Sequence, residues 1–168
     1  MNKYENKMNS LGSRPLRYPV GPATDQVRTI ERELDCNLPA DYLEFLESYG
    51  CHSPDPYTLF SFLEPYPGGE RGILAVFFGA DPKGTYDLLA NYKTYQGRMP
   101  REFLPIADDP GGNIICLAVK GPNKGAVYFW DHEEEPILRG RPAPDYFNVY
   151  LIGASFDDFI ASLVLDQP

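Results

Sequence analysis

The chain has 168 residues, 43% of them hydrophobic and 23% charged, with 12 Tyr, 10 Phe and 17 Pro. This length can bury one core without disulfide staples, and the aromatic and proline content favours strands and marked turns over long helices. The formal charge of −9 is uneven: residues 1–30 carry five Lys/Arg against two acids, and residues 31–168 carry ten against 22, which leaves that body at −12. A field of that sign repels nucleic acid and anionic membrane and attracts basic partners.

Cys36, Cys51 and Cys116 are too scattered for a disulfide framework or for the paired short spacings of a zinc site, so reduced thiols and no metal or cofactor are expected. Met1 to Ser13 contain no apolar stretch of signal-peptide length. The longest apolar run, Ile73–Phe78, is far short of a membrane span, and a cytoplasmic protein is expected.

Residues 1–22 are polar and punctuated by Pro15, Pro19 and Pro22, which predicts a flexible N-terminal arm leading into a single domain over 23–168. Thr24 and Asp25 open a helix over about 24–35, with Val27, Ile30 and Leu34 at helical spacing. Pro39 suits the first turn of a second helix. Tyr42, Phe45, Leu46 and Tyr49 give that helix an apolar face, and Gly50 can end it.

Two strands are predicted at Leu59–Leu63 and Ile73–Phe78, separated by Pro65, Pro67, Gly68 and Gly69. Thr85 can cap a short helix bearing Leu88, Leu89, Tyr92 and Tyr95. Strands then recur at Phe103–Ala107, Ile114–Val119 and Ala126–Trp130, the last two as a hairpin, and again at Tyr146–Ile152. Ser155-Phe156-Asp157-Asp158 resembles a capping box opening a final helix. Strands joined by short turns pair antiparallel, so the expected class is α+β. The expected sheet is largely antiparallel, of about five to six strands, with helices at both chain ends and one in the middle.

Several stretches carry a family likeness in the right order. Ile30–Leu34 with Leu38-Pro39-Ala40-Asp41-Tyr42-Leu43-Glu44-Phe45-Leu46 is similar to the opening helix pair of the SUKH superfamily (Smi/Knr type). Phe103-Leu104-Pro105-Ile106-Ala107-Asp108-Asp109 with Gly111-Gly112-Asn113 resembles its strand and turn. Gly125-Ala126-Val127-Tyr128-Phe129-Trp130-Asp131-His132-Glu133 resembles its later strand, and Ser155-Phe156-Asp157-Asp158-Phe159 its closing helix. The likeness spans about residues 24–165, and the arm before it has no counterpart in the motif set. It implies a non-enzymatic immunity protein that binds and neutralises a polymorphic or contact-dependent toxin, commonly a nuclease. The alternative it implies is a regulatory or scaffold module of the Smi/Knr type. A toxin partner with a basic surface would suit the acidic chain.

Asp131, His132, Glu133, Glu134 and Glu135 offer one imidazole and four carboxylates within five residues. Neighbours on a strand point to opposite faces, so convergence on one ion is not expected. An acidic turn is the plain reading, and a partner-contacting edge of these five residues is the functional one, with charges that steer and select. Asp108-Asp109-Pro110-Gly111-Gly112-Asn113 lacks the spacing of a calcium loop and reads as a tight turn. Gly79–Thr85 lacks the lysine of a phosphate loop. Cys116, inside an apolar strand, reads as core; Trp130 with the many Tyr can either fill a core at strand spacing or form an aromatic binding platform.

Overall fold

The computed structural model describes residues 2–142 and 145–166. In chain order the elements are α1 (Glu5–Ser10), β1 (Arg14–Pro15), α2 (Thr24–Leu34), α3 (Ala40–Tyr49), β2 (His52–Ser53), β3 (Thr58–Ser61), β4 (Arg71–Ile73) and α4 (Leu88–Tyr95). There follow β5 (Phe103–Asp108), β6 (Ile114–Ala118), β7 (Val127–Trp130), β8 (Val149–Gly153), α5 (Phe156–Ser162) and β9 (Val164–Leu165). The class is α+β, as the strand and helix order predicts.

The main sheet is four-stranded and antiparallel, in the order β5-β6-β7-β8, and its Ile115–Phe129 and Cys116–Tyr128 pairs establish the predicted hairpin. A second sheet, β4-β3-β9, lies beside it, and β1 pairs with β2. Five of the expected strands match β3 and β5 to β8 in place. The sixth, Ile73–Phe78, keeps ladder pairing only to Ile73. Beyond that point its backbone crosses to the main sheet, with Ala75 N–H donating to Asp108 O at 2.9 Å and Phe78 N–H to Ile106 O at 2.8 Å. One segment therefore stitches the two sheets together, and a register shift between Pro105 and Ala107 accommodates it.

Helix boundaries follow local chemistry. Gly50 ends α3, and Ser155 Oγ accepts the Asp158 N–H at 3.0 Å at the start of α5. α4 is capped by Asp87, which accepts the Ala90 N–H at 2.9 Å, and not by Thr85. A carboxylate immediately before the helix reaches its free N–H groups better than a hydroxyl two residues further out. Helix α5 seats closely on the end of β8: a Cβ at Gly153 would lie 2.7 Å from Phe159 Cβ, so only glycine fits.

Within residues 1–22, expected as a flexible arm, the first turns are packed against the domain. Tyr4, Met8 and Leu11 are buried in the core, spaced i, i+4, i+7 along and just beyond α1. Tyr4 rests edge-on against Phe45 of α3 and Phe156 of α5, with centroids 5.3 and 6.0 Å apart. Its hydroxyl donates to Asp157 and lies 3.0 Å from Asp41 O, and Lys3 Nζ lies 3.0 Å from Asp157. The physical reason is burial: these three side chains would otherwise leave the aromatic seam between α3 and α5 open to water. Cys116 and Trp130 are fully buried core residues.

Candidate partner-binding surface

The connection from β7 to β8 starts with the acidic run and is built on a rigid base. Asp131 Oδ2 accepts the Tyr66 hydroxyl at 2.9 Å, and its Oδ1 caps a short 3-10 turn, His132–Glu134, by accepting the Glu133 N–H at 3.0 Å. The Asp131 backbone also exchanges bonds with buried Asn148, at 3.0 Å from its N–H to Asn148 O and 2.8 Å from Asn148 Nδ2 to its own O. The two ends of the connection are thereby clamped. Burial chiefly, and then the bond to Asp131, pushes the Tyr66 hydroxyl well above its ordinary range, so it stays a proton donor.

Glu135 points inward and is only 6% exposed. Its two oxygens meet Arg98 Nε and Nη2 at 2.9 and 3.0 Å, a bidentate fork. The Arg98 guanidinium also lies 4.8 Å from the Tyr95 ring and 5.7 Å from Trp130. The buried end of the acidic run is thus tied to the end of α4.

His132 occupies a third position. Asn113 Oδ1 accepts its N–H and faces its ring Nδ1, while Asn113 Nδ2 and N–H both bond Asp109. Asp109 closes the turn that Gly111 and Gly112 make possible; Gly112 sits at φ +91, and a Cβ there would come within 3.6 Å of the imidazole. The predicted turn at Asp108–Asn113 and the acidic run thus meet side by side.

The five predicted contact residues therefore separate. Asp131 and Glu135 are buried, with their carboxylates satisfied within the chain, and serve as structural anchors of the loop. Glu133 is exposed, Glu134 is partly exposed and paired with Arg139, and His132 is half-buried. Among the described residues no group of three or more His, Cys, Asp or Glu is placed to hold a metal ion. No described helix is long and apolar enough to cross a membrane.

What the sequence reading missed lies just beyond. Ile137 and Leu138 are 59% and 69% exposed, and on the return leg Tyr146 and Phe147 are about half exposed. The available signal was the placement of apolar residues in a Pro/Gly-rich connection that cannot form a strand. Arg141 joins the two legs: its N–H donates to Pro136 O at 2.9 Å, its guanidinium pairs with Asp145 at 3.1 Å, and it lies 4.2 Å from the Phe147 ring.

The chain thus combines an acidic α+β scaffold with a rigidly based loop that leaves apolar side chains exposed at its crest. A model of the SMI1 / KNR4 family (SUKH-1) matches residues 21–162, and the chain belongs to that family. It is also similar to a Bacillus subtilis (strain 168) protein named "SPbeta prophage-derived uncharacterized protein YokK". The two are 32% identical over 179 aligned positions that cover 99% of this chain and 86% of that one.

Proposed function

We propose that this chain is an immunity protein: it binds a toxin, of the nuclease kind, inside the cytoplasm and neutralises it by occlusion, without turning over any molecule. The observation that carries this reading is the charge of a SUKH-family chain whose body stands at −12. A nuclease must present a basic surface to its substrate, and an acidic inhibitor is drawn to that surface and can cover it. Glu133 and Glu134, with half-buried His132, are the parts of the acidic run that remain open to such a partner.

The first test is whether the adjacent reading frame ends in a small, basic, toxin-like domain, whose absence would favour the regulatory module; the decisive one is co-expression with that domain. Cells carrying both proteins should grow, and cells carrying the domain alone should die. Equal killing with and without this chain would remove the immunity reading and leave a regulatory module of the Smi/Knr type as the function to pursue.

A further inference from the structure

The crest at Ile137 and Leu138 is one part of a larger face. Tyr146 stands edge-on to Phe103 with centroids 5.7 Å apart, and Phe103 stacks on Tyr128 at 4.9 Å. Phe103 is also a wall of a cavity of about 410 Å³, whose other walls include Tyr92, Tyr95, Met99 and Pro105. The Arg98–Glu135 fork fastens the chain at the cavity wall to the base of the crest. Cavity and crest are consequently tied together by this fork and by Phe103 against Tyr146, whose chain neighbour Phe147 carries the Arg141 guanidinium.

The charges on this face are unbalanced in a useful way. Arg98, Arg139 and Arg141 are each paired within the chain, with Glu135, Glu134 and Asp145. Glu33 and Arg101 both line the cavity, and Glu102 and Glu133 lie in the flanking segments; none of these four carries an ion pair among the described residues. Lys120, also without an ion pair, shares a neighbouring hollow with Arg101 and Glu102, so Glu33, Glu102 and Glu133 stand against Arg101 and Lys120 and the rim of this apolar centre is mixed with a small acidic excess.

We infer that this face is where the toxin docks: a protein domain with a basic rim seats an apolar side chain in the Tyr92–Tyr95–Phe103 cavity and closes over Ile137 and Leu138. The inference rests on the immunity reading and adds the surface to it. Glu33, Glu102 and Glu133 accelerate encounter, while the cavity and crest hold the complex together, because well-packed, desolvated anchors in rigid settings dominate affinity.

The experiment uses the full chain and, as probe, the purified toxin domain of the neighbouring reading frame with its catalytic residue replaced. Binding is compared for the unsubstituted chain, the double variant Ile137→Ser/Leu138→Ser and Gln96→Trp. The last places an indole at the cavity mouth from an exposed lining position. All three sites of substitution are exposed, so thermal unfolding should be unchanged and serves as the control for folding. Each variant should bind about thirtyfold or more weakly, chiefly through faster dissociation. Tight binding undisturbed by either variant would overturn the surface and leave the immunity reading standing. No binding by the unsubstituted chain would overturn both.

Discussion

Asn113 Oδ1 accepts the backbone N–H of His132 at 3.0 Å and faces ring Nδ1 of the same residue at 2.8 Å. Because Asn113 Nδ2 is committed to Asp109 Oδ2 at 2.8 Å, the amide can present only its oxygen to the imidazole. Nδ1 therefore carries the proton, and in the neutral ring Nε2 is left as an acceptor. One amide thus sets both the position and the tautomer of the histidine beside the proposed contact surface.

Replacing that amide should loosen two turns together. Asn113→Ala removes the acceptor for His132 and the donors to Asp109, and it should lower stability by about 1–3 kcal/mol. Asn113→Asp restores the acceptor but sets a second carboxylate against Asp109, so rescue should be incomplete at neutral pH. Urea unfolding midpoints measure both effects; an unchanged midpoint for the alanine chain would refute the staple.

The acidic run should respond unevenly to alanine. Glu135→Ala strands Arg98 and should cost about 1–3 kcal/mol, a figure reduced from that for a fully buried pair because the Arg98 side chain is 39% exposed. Glu133→Ala should stay within about 0.5 kcal/mol of the parent. Equal losses at the two positions would contradict the division into anchor and rim.

The N-terminal helix should behave as part of the core. Met8→Ala should destabilise the chain by about 2–5 kcal/mol, since the side chain is fully buried. Tyr4→Phe keeps the ring against Phe45 and Phe156 but loses the hydroxyl bonds, and should cost about 1 kcal/mol. Differential scanning calorimetry of the two variants separates packing from hydrogen bonding, and melting temperatures equal to the parent's would return residues 1–22 to the status of an arm.

Asp108 should impose a pH dependence of unusual sign for a carboxylate. Burial pushes it up to about 6, the Val76 N–H it accepts opposes this, and Asp109 adds to it. A carboxyl whose folded value lies above its ordinary 3.8 favours the protonated folded state. Its destabilising contribution is complete above about pH 6 and fades as pH falls from about 6 towards 4. Asp108→Asn should therefore be more stable than the parent above about pH 7, by on the order of 1–2 kcal/mol after solvent screening, and the gain should vanish near pH 4. A gain that persists unchanged at the acid end would exclude Asp108 as its source.

Much of the frame is legible because it depends on neighbours in the chain. The Ser155 cap, the stop at Gly50 and the β6–β7 hairpin each involve residues a few positions apart, and they lie where turn and capping chemistry places them. Residues 1–22 were harder to read: the prolines signal loop, and only the spacing of Tyr4, Met8 and Leu11 shows that a buried face precedes them.

The site divides along the same line. Composition along the chain marks the acidic stretch and its charge, because charge is a property of each residue alone. Which carboxylates face outward depends on Tyr66 meeting Asp131 across 65 positions and on Arg98 meeting Glu135 across 37. Such pairings are made by the closing of sheets and loops, not by local preference. The exposed crest at Ile137 and Leu138 is a tertiary outcome for the same reason: it is what remains on the outside once the more distant partners have claimed the inside.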